Sequence, residues 1–209
     1  MAVFRFLLEA IFPSFCYICG KPSKGILCDG CKRNFEEKRV NKIFFPDADH
    51  LSQVYIVFEY EGEVRRLIEE FKYEKRKEIA RYFSQYFSGL PLDYDFIVPV
   101  PLHATRLRER GFNQSELIAK GLAKVYGIPL EKKGIIRRKY TLKQANLTRS
   151  ERLENLSGAF LVSHPERFRG KRILLVDDVY TTGATMENLA KAFKNYPSKI
   201  DGFVIASKA

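Results

Sequence analysis

A chain of 209 residues that is 45% hydrophobic, 13% aromatic and 29% charged has room for one medium domain and a small appendage, and this composition excludes a disordered or fibrous protein. The net charge is +11, and it is unevenly placed: between His103 and Arg152 stand 13 Lys or Arg against 4 Glu and no Asp, an excess that suits a polyanionic partner as well as it suits a solvated surface. No stretch approaches the roughly 18 uncharged apolar residues that a membrane span needs.

At the N-terminus Phe4, Leu7, Leu8 and Ile11 recur at helical spacing and stop at Pro13, one apolar stripe of a helix. Arg5 and Glu9 interrupt the apolar run and no small-residue cleavage site follows, which argues against a secretory signal and for a cytoplasmic protein whose cysteines stay reduced unless a metal holds them. Cys16, Cys19, Cys28 and Cys31 then fall within 16 residues as two Cys-x2-Cys knuckles. Four thiolates at this spacing can surround one Zn2+ tetrahedrally, and so short a segment has too little apolar core to fold alone. Two disulfides are the alternative, disfavoured by the reducing compartment. With four thiolate ligands no position stays open for chemistry, so the zinc is expected to be structural. Residues 1–48 are therefore assigned to a zinc-binding module with an N-terminal helix, and residues 49–209 to a second domain.

The second domain opens on a strand, Gln53 to Tyr60, rich in β-branched and aromatic residues, followed by a helix marked by Val64, Leu67, Ile68 and Phe71 and another carrying Ile79, Tyr82, Phe83 and Tyr86. Asp95 to Val100 is a short strand ended by Pro101, and Gln114 to Tyr126 is a helix. Arg137 to Asn155 has no sustained apolar period and is polar and basic, as functional loops are. Strands are predicted again at Ala159 to Val162, Arg172 to Val176 and Phe203 to Ala206, with a helix from Thr185 to Asn195. Strands alternating with helices predict an α/β fold with a mainly parallel sheet.

The chemistry concentrates at Ile173 to Thr185, ILLVDDVYTTGAT. Four apolar residues make a buried strand with Asp177 and Asp178 at its C-terminal end, where ligands bind in open α/β sheets. Val179 to Thr185 then turn into a helix. Thr181, Thr182 and Thr185 supply hydroxyl donors, Gly183 admits close backbone approach, Ala184 is small, and the helix N-terminus presents free N–H groups. This is a cradle for a phosphate monoester, and the two carboxylates suit a neighbouring diol. The Lys of a nucleoside-triphosphate P-loop and the spacing of a dinucleotide fingerprint are both missing.

The segment resembles the 5-phosphoribosyl-1-pyrophosphate (PRPP) signature of type I phosphoribosyltransferases. The resemblance implies that Asp177 and Asp178 hold the ribose 2- and 3-hydroxyls, that Val179, Thr181, Thr182, Gly183, Ala184 and Thr185 bind the 5-phosphate, and that Mg2+ accompanies PRPP. It also implies a pyrophosphate loop after the first core strand, often with a strained backbone, here Leu102 and His103 with Arg106 and Arg110. Arginine suits that task because its planar fork binds phosphate oxygens bidentately; the residues by themselves fit a solvated turn too. The run PVPLHATRLRERGFNQ, with Arg149, Arg152, Asn155, Ala159 and Phe160 downstream, resembles the narrower family of ComF-type competence proteins, in which a four-cysteine module precedes a phosphoribosyltransferase-like domain. That family implies a part in DNA uptake beside a helicase, with single-stranded DNA as a partner, and a flexible loop closing over PRPP. Arg137, Arg138, Lys139, Lys143 and Arg149 are the candidate loop or DNA contacts. An active PRPP-dependent transferase with an unidentified acceptor is the alternative, and base salvage ranks last because no purine or pyrimidine hood can be recognised.

Overall fold

The computed structural model describes residues 14–74, 76–139, 158–194 and 196–208. The apolar stripe of residues 1–13 and the basic residues Lys143, Arg149 and Arg152 lie outside them. In chain order come α1 (Asp29–Glu36), β1 (Arg39–Phe44), β2 (Val54–Glu59), α2 (Gly62–Tyr73), α3 (Glu78–Ser84), β3 (Phe96–Pro99), α4 (Ala104–Arg110), α5 (Gln114–Tyr126), β4 (Ile135–Arg137), β5 (Phe160–Val162), β6 (Arg172–Tyr180), α6 (Ala184–Ala192) and β7 (Lys199–Ser207).

Five strands form the central sheet in the order β1-β2-β7-β6-β3. All neighbours pair in parallel except β1 with β2. β2 buries five successive residues and β7 eight, as strands covered on both faces must. On one face pack α2, α3 and α5 together with Cys16, Leu27 and Phe35 of the N-terminal segment. On the other face lie α6 and the antiparallel β4–β5 pair. The predicted stripes hold: Val64, Leu67, Ile68 and Phe71 of α2 are fully buried, as are Leu189 of α6 and Phe193 just beyond it.

Four elements were not predicted. α4 buries no side chain, so it carries no apolar period. β1 alternates exposed and half-buried positions, as an edge strand does, and α1 buries Phe35 alone. β4 has only three residues. β1 also makes the cysteine-bearing segment contribute the outer strand of the main sheet. Two strands are longer than expected: β7 spans Lys199–Ser207 rather than Phe203 to Ala206, and β6 runs on past Val176. β6 continues four residues past Val176, because Asp177, Val179 and Tyr180 pair with Val204, Ala206 and Ser207 of β7. The two aspartates hide that continuation from a hydrophobic pattern.

Candidate functional site

Because β2, β7, β6 and β3 are parallel, their C-terminal ends share one edge, and the predicted residues gather there. Asp178 is buried and Asp177 half-buried. The Asp177 carboxylate accepts from the Ser115 hydroxyl at 2.7 Å and from the Asp178 N–H at 2.9 Å through the same oxygen, Oδ1. Ser115 is held in turn by the start of α5. Asn113 caps that helix by accepting from the Ser115 N–H at 3.1 Å, and its Nδ2 donates to the Val100 carbonyl at 2.9 Å, tying the helix to the end of β3. Burial, then the charge of Asp178, raises the Asp177 pKa to about 6 against the opposing hydrogen bonds and Lys72.

Asp178 meets Lys72 of α2, with Nζ 2.8 Å from Oδ1. Burial alone would lower the lysine pKa, but attraction to Asp178, the hydrogen bond between them and the charge of Asp177 outweigh it and raise it. Sequence reasoning missed both Lys72 and Ser115. Lys72 reads as an ordinary surface lysine of an amphipathic helix, and its role depends on α2 crossing to the far end of β6. For Ser115 a signal existed, since Asn-x-Ser before an apolar period announces a helix start.

After Tyr180 the turn Thr181–Gly183 leads into α6. Gly183 is the N-cap, left-handed at φ +78°, a conformation that favours glycine. A Cβ there would stand 2.2 Å from the Tyr180 hydroxyl. Ala184 is buried at the first helical position, while Thr181 is exposed and Thr182 and Thr185 are half-buried. Val179, expected in the turn, lies in the strand ladder. The helix start leaves its first N–H groups without intrahelical acceptors, so the turn is chemically suited to an anion.

The pyrophosphate candidates diverge. Leu102 and His103 follow β3, and His103 caps α4, its Nδ1 accepting from the Thr105 N–H at 3.2 Å. Among the described residues there is no cis peptide bond, and the positive-φ non-glycine positions are Asn41 and Lys194, neither of them in this loop. Arg110 donates to Gln114 at 3.0 Å and lies 5.6 Å from the Tyr73 ring. Arg106 pairs with Glu109 at 3.5 Å. The residue brought in is Arg137, whose backbone bridges to His103. Burial first, then the like charge of Arg106, lowers its pKa against the attraction of Asp177. Arg138 and Lys139 are exposed.

At the other end of the chain the four cysteine sulfurs lie within 4.8 Å of one another, and no disulfide joins them. Cys19 and Cys28 sulfurs are 3.6 Å apart, far beyond a covalent bond and close to the about 3.8 Å between thiolates around a tetrahedral zinc. Burial would raise the Cys16 thiol, but the N–H groups of Cys28, Cys19 and Ile18 aimed at its sulfur lower it to about 6. Burial and the three neighbouring sulfurs push Cys31 up. Such crowding of sulfur around one point fits a cation at its centre, and the cluster could hold a metal.

Residues 73–208 match the phosphoribosyl transferase domain family. Competence protein ComFC of Bacillus subtilis (strain 168) is 30% identical over 96% of this chain and 81% of its own. The chain belongs to the ComF-type branch of the phosphoribosyl transferase domain family. Competence protein F of Haemophilus influenzae is also 30% identical, over 82% of this family member and 86% of its own length. The DNA utilization protein YhgH of Escherichia coli (strain K12) is 29% identical, over 86% and 90%. A glutamine phosphoribosylpyrophosphate (PRPP) amidotransferase from B. subtilis, solved with ADP and GMP, aligns with 63% of this chain and 26% of its own at 19% identity and a TM-score of 0.40. In the described residues no helix is long and apolar enough to cross a membrane.

Proposed function

We propose that the edge formed by Asp177, Asp178 and the turn Thr181–Thr185 binds PRPP or a nucleotide 5-phosphate, and that the protein works in DNA utilisation on the cytoplasmic side. The carrying observation is the oriented acid pair directly before a glycine-capped helix start. Asp177, fixed by Ser115, and Asp178 accept from ribose hydroxyls, and the N–H groups of Ala184 and Thr185 with the threonine hydroxyls take the phosphate. Arg137 and Arg106 supply positive charge on the β3 side, where pyrophosphate would lie. A Mg2+ arriving with PRPP would add charge neutralisation to that of these arginines. Zinc would stabilise the cysteine-bearing part of residues 1–48, whose β1 is built into the sheet of residues 49–209. Exposed Arg138 and Lys139 belong to the basic stretch that we assign to single-stranded DNA, in keeping with the competence and DNA utilization names of the relatives. The intact acid pair favours, as a second reading, transfer of the phosphoribosyl group to an acceptor.

Calorimetry with ribose 5-phosphate, 2-deoxyribose 5-phosphate, inorganic phosphate and PRPP tests the pocket. Wild type should prefer ribose to deoxyribose, and Asp177→Asn with Asp178→Asn should erase that preference, each lost charged acceptor weakening ribose ligands by on the order of 1.5–3 kcal/mol. Inorganic phosphate should change little. PRPP bound equally well by the double variant, or not at all by wild type with Mg2+, sinks the assignment.

A further inference from the structure

The salt bridge between Lys72 and Asp178 is no part of the site expected from the sequence, and it changes what that site can accept. Lys72 stands in the last turn of α2, where the helix dipole favours a cation. Its Nζ is 2.8 Å from Asp178 Oδ1, with the two side chains 12% and 11% exposed. The helix cannot easily withdraw it, because Val64, Leu67, Ile68 and Phe71 are fully buried. At Asp177 one of the two carboxylate oxygens, Oδ1, already accepts from Ser115 and from the Asp178 N–H.

We propose that Lys72 is the resident counter-ion of the acid pair and bars a divalent cation from direct coordination by Asp178, while leaving the carboxylate able to accept a ligand hydroxyl. A hard cation such as Mg2+ or Mn2+ needs a near-octahedral shell of oxygens. Within that shell it would sit beside an enclosed ammonium of like charge. A ribose hydroxyl brings no charge, and a carboxylate with four lone-pair sites can take its hydrogen bond without releasing Lys72. Any divalent ion in the pocket is then carried by the ligand's own oxygens. The inference rests on reading the acid pair as the ribose-hydroxyl site.

Titration of the zinc-loaded full chain with Mn2+ alone, followed by electron paramagnetic resonance, decides it without PRPP. Wild type should show no Mn2+ site that depends on Asp178. Lys72→Met should gain one site, with affinity about tenfold or more above wild type. Lys72→Met with Asp178→Asn should lose it again, and Lys72→Arg, which keeps the cation, should behave as wild type. Lys72→Gln replaces the methionine variant if that fails to fold. A 1:1 Mn2+ site in wild type that Asp178→Asn removes overturns the proposal with no lysine variant needed. So does a folded Lys72→Met that gains no site. A parallel PRPP titration on wild type reports separately on the pocket, so failure of the one reading is not mistaken for failure of the other.

Discussion

Gly183→Ala is the substitution for which the structure yields the clearest magnitude. At φ +78° an alanine bears the left-handed penalty of roughly 1–2 kcal/mol. Its Cβ would also lie 2.2 Å from the Tyr180 hydroxyl oxygen and 2.7 Å from Cζ, so the ring or the turn must move. The ring cannot swing freely, being 5% exposed with its centroid 5.7 Å from that of Phe44. Overpacking of this kind costs roughly 1–3 kcal/mol, for a total of about 2–5 kcal/mol. Gly170→Ala is the control, left-handed at φ +69° with nothing within 4 Å of its Cβ, and it should show the first cost alone. Urea unfolding of both variants isolates the clash as their difference. Tyr180→Phe should return part of it to Gly183→Ala by removing the nearest atom. Ribose 5-phosphate affinity should fall in Gly183→Ala, since the shifted turn carries the first N–H groups of α6. Equal destabilisation of the two alanine variants, with ribose 5-phosphate bound as in wild type, would refute the reasoning.

The thiolate cluster should hold one zinc per chain, and Cys16→Ser should release it; mass spectrometry finding two disulfides in the native protein would remove the site. Asp177, raised from 3.8 to about 6 in the folded state, binds its proton there more tightly than in the unfolded chain, so its contribution to stability is fullest below about pH 4 and is lost as pH rises through about 6. Asp177→Asn should therefore flatten the decline of melting temperature across that window, and parallel curves for variant and wild type would contradict this. Single-stranded DNA binding should weaken with salt at a log-log slope of about −0.7 per neutralised phosphate, and Arg138→Glu with Lys139→Glu should make the slope shallower; a slope of zero in wild type, or an unaltered one in the variant, would exclude these contacts.

What could be read in the sequence was what repeats locally. The stripe of α2, the full span of α5 from Gln114 to Tyr126 and the buried run of β6 each declare themselves locally. The phosphate turn was legible because threonines, glycine and helix start are contiguous. What stayed hidden depends on distant partners. Lys72 and Asp178 are joined only by the packing of α2 on the sheet, and Arg137 reaches His103 only because β4 returns to the loop after β3. α4 was invisible for the opposite reason: a helix that buries nothing leaves no period to detect.

The cysteine-bearing segment is also more deeply built in than its sequence suggests. Phe35, the penultimate residue of the helix that carries Cys31, is fully buried, with its ring 4.6 Å from Phe58 of β2 and 5.5 Å from Tyr82 of α3. Tyr17, between two of the cysteines, donates to Glu78 at the start of α3 and lies under the Arg76 guanidinium at 3.9 Å. Asn34 donates to Glu63 in the first turn of α2. Tyr82, Glu78 and Glu63 belong to α3 and α2, two of the three helices on that face of the sheet, and Lys72 stands in the last turn of α2. A metal in the cluster would therefore fix more than a terminal appendage: by seating Phe35 and Tyr17 it would steady β2 and α3, and by seating α1 it would steady α2 through Asn34 and Glu63, and with α2 the ammonium that faces Asp178.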